Sequence, residues 1–242
     1  MPNSYFQFKQ FTIRQDRCGM KVTTDACLFG AWVAEEIKSS IGKSRHLLDV
    51  GAGTGLLSLM IAQKNPELAI DAIELDPQAS RQANENSLAS PWHNQLDIIE
   101  GDIRSFSTDN SYDILISNPP FYENELSSSD PKKNLAHHSS ELSFDDLFKV
   151  INICLKQSGT FYLLLPYKRI AEINKSIQSH NFSILKEVYV RQSAKRDFFR
   201  IMIAGKKEKT SDAEGSEISI WNEKQQYTDE FTKYLKDYYL HL

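Results

Sequence analysis

The stretch from residue 46 to residue 61 constrains the fold of this chain more than any other. An apolar run at 46–50 (HLLDV) leads into a glycine-rich turn at 51–55 (GAGTG), and an apolar segment follows. A strand, a glycine-rich turn and a helix in this order form a nucleotide-binding turn, because glycine permits a tight turn and close approach of a ligand. The stretch therefore predicts an α/β protein with a ligand at this turn.

The remaining chain continues the alternation of strands and helices, which predicts a mostly parallel sheet covered on both faces. The short connection between the last two predicted strands indicates that they pair antiparallel. With the strand at 46–50, the predicted sheet has seven strands, the other six at 69–75, 96–99, 112–117, 160–165, 184–190 and 198–204.

The chain of 242 residues has the size of one large domain with additions. We predict an N-terminal segment (1–45) with a strand and a helix that contribute to the site. A core (46–205) follows, and then a C-terminal segment (206–242). In that last segment we expect a charged linker over 206–217 and an amphipathic helix that packs on the core.

Three acidic residues stand where a nucleoside ligand needs hydrogen-bond acceptors. Glu74 ends the second strand of the core, 19 residues past Gly55, where an acid would bind both ribose hydroxyls. Asp102 follows the third strand and would accept from an adenine amino group, with Ile103 against the ring. Asp49, just before the turn, would suit an ammonium group.

Two cofactors compete for this turn. A nicotinamide or flavin dinucleotide favours G-x-G-x-x-G, but here the third glycine comes one residue early and Leu56 occupies the expected place. An acid beside the turn would also repel a pyrophosphate. S-adenosylmethionine has no phosphates and needs the acids, so the pattern favours it over a dinucleotide and over a turn with no ligand.

A second candidate motif follows the strand at 112–117. Asn118 is followed by two prolines and by Phe121, and two prolines fix φ and donate no backbone hydrogen bond. The stiff turn would offer the Asn118 side chain and the Pro119 carbonyl to a planar amine, with Phe121 against its ring. An ordinary turn that ends a strand is the alternative interpretation, since Asn-Pro and Pro-Pro pairs are common in loops.

Charge is distributed unevenly in a chain of net charge −4. Residues 165–210 carry 11 Lys and Arg against 4 Asp and Glu. A basic segment in an acidic chain is a candidate contact for a polyanion, although a solvated basic face is the simpler alternative. The candidate contacts for such a polyanion, RNA being one, are Arg191, Lys195, Arg196 and Arg200 around the last predicted turn, and Lys132 and Lys133 in a long polar loop.

The remaining patterns exclude several classes of protein. The three cysteines, Cys18, Cys27 and Cys154, have no C-x-x-C spacing and an odd count, which indicates reduced thiols and a cytoplasmic protein. No apolar run is long enough to cross a membrane. His137 and His138 have no nearby Cys or carboxylate set, so we expect no metal, and no obligate protein partner is indicated.

Residues 49–55 together with 118–121 resemble the class I methyltransferases that modify exocyclic amines. Two further blocks, at 21–32 (KVTTDACLFGAW) and at 227–240, are similar to the bacterial tRNA1(Val) (adenine-37-N6)-methyltransferase family, and the resemblance covers nearly the whole chain. It implies a Rossmann-like class I fold, S-adenosylmethionine as cofactor and adenine N6 in tRNA as the methylated group.

The resemblance also assigns residues to the site. The implied catalytic residues are Asn118, Pro119, Pro120 and Phe121. The implied cofactor-binding residues are Lys21, Thr24, Asp25, Asp49, Gly51, Gly53, Gly55, Glu74, Leu75, Asp102, Ile103 and Asn118.

Two other functions remain open at the level of sequence. The first is the same methyl transfer to another amine: guanine N2 in ribosomal RNA, DNA adenine or protein glutamine. A non-enzymatic RNA-binding module on this fold is the other, although a pure binding protein has no need of the intact motif at Asn118.

Overall fold

A computed structural model of the chain describes residues 3–39, 45–106, 112–120, 142–210 and 213–242. The strands are β1 (Tyr5–Gln7), β2 (Thr12–Arg14), β3 (Arg45–Val50), β4 (Leu68–Glu74), β5 (Leu96–Glu100), β6 (Tyr112–Ser117), β7 (Leu155–Pro166), β8 (Ser183–Ser193), β9 (Phe198–Lys206) and β10 (Glu214–Trp221). The helices are α1 (Thr24–Ser39), α2 (Leu56–Lys64), α3 (Pro77–Leu88), α4 (Phe144–Cys154), α5 (Ile170–Ser179) and α6 (Asp229–Leu235).

The central sheet has eight strands in the order β10-β8-β9-β7-β6-β3-β4-β5. Strand β9 runs antiparallel to both of its neighbours, β7 and β8, and the other neighbouring pairs are parallel. The predicted α/β class, the mostly parallel sheet and the antiparallel pairing of β8 with β9 are therefore confirmed. Strands β8 and β10 also end at the same edge of the sheet as β3 to β7.

The predicted strand count of seven is wrong, and the predicted linker over 206–217 extends too far, because a strand already begins at Glu214. Glu214–Trp221 forms an eighth strand, which pairs parallel to β8 from Glu214 opposite Lys186 to Trp221 opposite Ser193. Only Ile218 and Ile220 of this strand are buried, because it lies at the sheet edge. The sheet therefore continues beyond residue 205, where we placed the end of the core.

Helices cover both faces of the sheet, as alternation of strands and helices requires. One apolar cluster joins α1, α2 and α6 to the sheet and includes Trp32, Met60 and Phe231. The other joins α4 and α5 to the opposite face and includes Phe148 and Phe161.

A two-stranded ribbon of β1 and β2 precedes α1 and is bound to α3 by buried amides. Asn86 is 2% exposed, accepts from the backbone N–H of Arg14 and donates to the carbonyl oxygens of Arg14 and Thr54. Gln82 accepts from the N–H of Arg17 and donates to Asp16. The residues that follow the ribbon are thereby held beside the glycine-rich turn.

The last residues of the chain close the structure against its beginning and its middle. The Tyr238 hydroxyl donates to the carbonyl of Met60 at 2.9 Å, and the backbone N–H of Lys9 donates to the carbonyl of Tyr238 at 2.8 Å. Gln63 on α2 donates to the carbonyl of Asp237.

Within the described part of the chain, no helix is both long and apolar enough to cross a membrane.

Candidate active site

A cleft of ≈ 640 Å³ opens at the carboxyl ends of β3, β4, β5 and β6. Strand β3 has β4 on one side and β6 on the other, so the chain order reverses between β3 and β6. Loops after two such strands diverge and leave a crevice, which is where open α/β sheets bind their ligands. The glycine-rich turn follows β3 and the Asn118 motif follows β6, so the topology brings both to one crevice.

The glycine-rich turn needs glycine for its backbone conformation. Gly51, Gly53 and Gly55 have φ of 75°, 58° and 78°, all in the left-handed region. A side chain at these positions would be strained whatever the surrounding space. Gly55 also starts α2 against α3, where an added Cβ would lie 3.5 Å from the Cβ of Ala83.

Four of the five N–H groups of this turn are bonded within the protein. Those of Gly51 and Ala52 donate to the carbonyl of Ile73, and that of Gly55 donates to the carbonyl of Ala52. The N–H of Gly53 donates to Glu74 at 2.7 Å. A pyrophosphate is bound by free N–H groups at such a turn, so this arrangement favours a ligand without phosphates.

Glu74 connects the turn to α3. One carboxylate oxygen accepts from Gly53 and the other accepts from the N–H of Asp76 at 2.9 Å. Asp76 in turn caps α3 by accepting from Gln78. The carboxylate therefore lines the cleft in a fixed position, with Leu75 beside it.

Asp102 and Ile103 line the cleft on the side of β5. The Asp102 carboxylate accepts from Arg104 in a close ion pair, with Nη2 to Oδ2 at 2.7 Å, and this hydrogen bonding lowers the pKa of Asp102. An adenine amino group would compete with Arg104 for this carboxylate. The pair is about one-third exposed, and exposed ion pairs contribute little energy, so the competition is feasible.

Asp49 lies behind the turn and does not line the cleft. It is fully buried and accepts from the Ser58 hydroxyl at 2.6 Å, whereas its other oxygen has no hydrogen-bond partner among the described residues. Burial, with a smaller effect from the charge of Glu74, raises the pKa of Asp49 to about 7. Its charge would act on a bound ammonium group through the turn and not by direct contact in this conformation.

The end of β6 brings Asn118, Pro119 and Pro120 to the wall of the same cleft. Ser117 is buried and donates to the carbonyl of Val50, which ties this strand to β3 just below both loops. The Asn118 amide makes no hydrogen bond to another described residue, so its oxygen is available to a ligand. Phe121 lies outside the described residues.

The segment after the ribbon forms the upper wall of the cleft. Lys21 lines it and donates through Nζ to the carbonyl of Asn3 at 3.2 Å. Thr24 and Asp25 do not line the cleft. Asp25 instead pairs with Arg200 on β9 at 2.8 Å, which joins the start of α1 to the sheet.

The predicted RNA contacts lie at the same edge of the sheet as the cleft. Arg191 donates to Glu217 and Ser219 on β10, and Arg200 is paired with Asp25. Lys195 and Arg196 lie on the turn between β8 and β9 and are exposed, with Lys195 3.1 Å from Glu223. The predicted contacts Lys132 and Lys133, and the histidines His137 and His138, lie outside the described residues.

Some cleft residues were not anticipated. Cys18 and Met20 line the cleft because the ribbon directs the following segment over it, and nothing local in the sequence indicates this. Arg104 also lines the cleft, two residues past the predicted site residue Asp102. Within the described ranges, no group of three or more His, Cys, Asp or Glu is arranged to hold a metal ion.

Three features define the class of this protein. The strand order reverses beside a glycine-rich turn, most N–H groups of that turn are already bonded, and an acid stands at the end of each of the next two strands. This class is the Rossmann-like class I methyltransferases, which use S-adenosylmethionine. A predicted O-methyltransferase from Agrobacterium tumefaciens has the same fold, with a TM-score of 0.66 at 16% identity over 88% of this chain and 96% of that one.

The sequence comparisons resolve the family within this class. The family model of the methyltransferase small domain matches residues 31–165. The tRNA1(Val) (adenine(37)-N6)-methyltransferase of Parabacteroides distasonis is 34% identical over 242 residues, 99% of each chain. That of Dyadobacter fermentans is 38% identical over 201 residues, 83% of this chain and 81% of the relative. The chain belongs to the tRNA1(Val) (adenine(37)-N6)-methyltransferase family.

Proposed function

We propose that this protein transfers a methyl group from S-adenosylmethionine to N6 of an adenine in tRNA, namely adenosine 37 of the anticodon loop of tRNA1(Val). Relatives that align with nearly the whole chain carry this activity in their names. The observation that carries the proposal is that Asn118 and Pro119 lie in one cleft with Glu74 and Asp102. Amine acceptors and nucleoside acceptors thus face the same space.

The residues of the cleft fit the cofactor. Because most N–H groups of the turn are already bonded and do not form a phosphate-binding site, we expect acids and apolar contacts to provide most of the recognition of a ligand. Glu74 would accept from the ribose hydroxyls, and Asp102 from the adenine amino group, with Leu75 and Ile103 against the ring. When bound, S-adenosylmethionine supplies a methyl group on a positively charged sulfur.

Asn118 prepares the amine for methylation. The lone pair of adenine N6 is delocalised into the ring, which makes the nitrogen a poor nucleophile. Two acceptors on its hydrogens, the Asn118 side-chain oxygen and the Pro119 carbonyl, favour tetrahedral geometry and free the lone pair. No strong general base is needed because the proton leaves after methyl transfer, and alignment supplies most of the rate effect.

The target base must leave its stack to reach this cleft, and an aromatic face commonly holds such a base. Phe121, the next residue after Pro120, is the residue we assign to that role.

We assign the protein to the cytoplasm, where tRNA is modified in bacteria, and infer no obligate protein partner.

Mass spectrometry of tRNA tests the proposal. A strain without the gene should lack N6-methyladenosine at position 37 of tRNA1(Val), and the wild-type gene should restore it. An Asn118→Ala gene should not restore it, although the purified variant should bind S-adenosylmethionine within a few-fold of wild type in calorimetry.

The matched control is Asn174→Ala, which changes an exposed asparagine on α5 and should restore the modification fully. Persistence of the methyl group in the deletion strain would contradict the assignment of the substrate. Restoration by Asn118→Ala would contradict the assignment of the catalytic amide. Loss of a different methylated amine would point to the same chemistry on that other substrate.

A further inference from the structure

A second cavity, of ≈ 450 Å³, lies at the carboxyl edge of the sheet beside the turn between β8 and β9. It is formed by residues 192–196 on one side, and by Trp221 and the turn that follows β10 on the other. It shares no lining residue with the catalytic cleft. Nothing in the proposed chemistry uses it.

Trp221 enters this cavity as the end of a stack of three aromatic rings. Its ring lies 4.1 Å from that of Tyr227 at an interplanar angle of 20°, and Tyr227 lies 4.6 Å from Phe231 at 18°. Phe231 is fully buried in the core. The indole is therefore fixed from behind, and the surface that Tyr227 leaves uncovered lines the cavity.

The turn after Trp221 is rigid and locally strained. The Asn222 side chain accepts from the N–H groups of Lys224 and Gln226, and its backbone N–H donates to the carbonyl of Gln226 at 2.8 Å. Gln225 has φ of 57°, a left-handed conformation that costs energy for any residue except glycine. This conformation places the amide of Gln225 at the wall of the cavity.

The polar groups of the cavity suit a base and its phosphate. The side-chain amides of Gln192 and Gln225 make no hydrogen bond to another described residue, and each offers both a donor and an acceptor. Lys195 and Arg196 stand at the rim. The partner of Lys195 is Glu223, and both side chains are more than 70% exposed, so a phosphate can replace this weak pair.

We propose that this cavity binds an unstacked nucleobase of the substrate RNA, stacked on Trp221, with the adjoining phosphate on Lys195 and Arg196. The identity of the RNA rests on the proposed function. Aromatic stacking with amide contacts to base edges is how single-stranded RNA is recognised. Strands β6 and β8 are three positions apart in the sheet, roughly 14 Å, which a few unstacked nucleotides can span. The cavity thus binds a nucleotide that neighbours the target adenosine.

Three variants of the full chain test this site. Trp221→Ala should weaken binding of a tRNA1(Val) transcript about tenfold in a filter assay, whereas Trp221→Phe should retain most of the affinity. Gln225→Gly should weaken binding several-fold and leave thermal stability equal or higher, because glycine accepts this backbone without strain. Affinity for S-adenosylmethionine and kcat at saturating tRNA should stay at the wild-type values.

Trp221→Ala loses the contact with Tyr227, which could lower its stability. Gln225→Gly keeps that contact, so it still tests the site in that case. Wild-type tRNA affinity in both Trp221→Ala and Gln225→Gly would overturn the site. So would a fall in kcat with unchanged tRNA affinity. Binding is measured separately from methylation, so a wild-type protein that binds the transcript without methylating it overturns the proposed function, and the variants still decide on the cavity.

Discussion

Glu74 shapes the cofactor cleft in addition to lining it, because its two oxygens hold Gly53 and Asp76. Glu74→Ala should therefore remove a ligand contact and also release two N–H groups. A hydrogen bond to a charged group contributes roughly 1.5–3 kcal/mol, so the Kd for S-adenosylmethionine should rise at least about tenfold. Isothermal titration calorimetry of the purified variant measures this directly.

A glutamate at the opposite end of the same strand provides the control. Glu67 is exposed and precedes β4, away from the cleft. Glu67→Ala should bind the cofactor as wild type does. If Glu74→Ala also retained wild-type affinity, Glu74 would have no part in the site.

Asp49 should make the stability of the protein depend on pH. Its pKa is about 7 in the folded protein and near 4 when unfolded, because burial disfavours its charged form. Between these values the folded state binds more protons than the unfolded state, so the free energy of unfolding falls as pH rises. The loss from pH 4 to pH 7 amounts to up to about 4 kcal/mol.

Denaturant titrations of wild type and Asp49→Asn across this pH range test the effect. An asparagine oxygen can still accept from Ser58, so the variant should keep the packing and lose the titrating group. The difference between the two unfolding free energies should move in favour of Asp49→Asn as pH rises. A constant difference from pH 4 to pH 8 would show that Asp49 keeps an ordinary pKa.

At the scale of elements, the turn between β8 and β9 carries charged side chains that are exposed to solvent. Lys195 and Arg196 on this turn are exposed, whereas Arg191 and Arg200 are partly buried beside Glu217 and Asp25. Phosphate contacts release counterions, so Lys195→Ala/Arg196→Ala should reduce the slope of log affinity against log salt. The expected reduction is about 0.7–0.9 for each lost contact. Binding of tRNA across a salt series measures the slope.

Lys175→Ala is the comparison for this double variant, because Lys175 is an exposed lysine on α5. It should leave the salt slope unchanged, and cofactor affinity should stay constant in both proteins. An unaltered slope in Lys195→Ala/Arg196→Ala would mean that the turn is only a solvated face. RNA binding would then depend on other parts of the chain.

The elements differ in how far sequence could predict them. The glycine-rich turn, Glu74 and the motif at Asn118 have local patterns, and the fold brings them to one cleft. Strand β10 has little local signal, since only Ile218 and Ile220 are buried and its partner β8 is remote in sequence. The pairing of Arg200 with Asp25 joins residues 175 positions apart, and no local pattern encodes such a contact.

At the scale of the whole molecule, Asn86 links three parts of the chain. It is buried and bonds Arg14 at the end of the ribbon and Thr54 in the glycine-rich turn from its place on α3. Asn86→Ala leaves these backbone groups without a partner, which costs roughly 1–3 kcal/mol for a buried group. We expect a lower Tm, faster proteolysis within residues 14–22 and weaker cofactor binding.

The three effects can be measured on one sample: calorimetry gives the Tm, limited proteolysis gives the cleavage rate, and a titration gives the affinity for the cofactor. Asn94→Ala, an exposed asparagine in the turn before β5, is the control and should resemble wild type in each. A variant with lower Tm but unchanged proteolysis and cofactor affinity would confine the role of Asn86 to stability.

The contacts of Tyr238 with Met60 and with Lys9 have a consequence for synthesis of the protein on the ribosome. A contact between residues 178 positions apart cannot form until the later residue has emerged. Helix α2 and the N-terminal ribbon thus remain without part of their final cover until Tyr238 has been synthesised. Contacts this distant in sequence also slow folding. During this interval the nascent chain exposes apolar surface of α2 and of the ribbon, the kind of surface that chaperones bind.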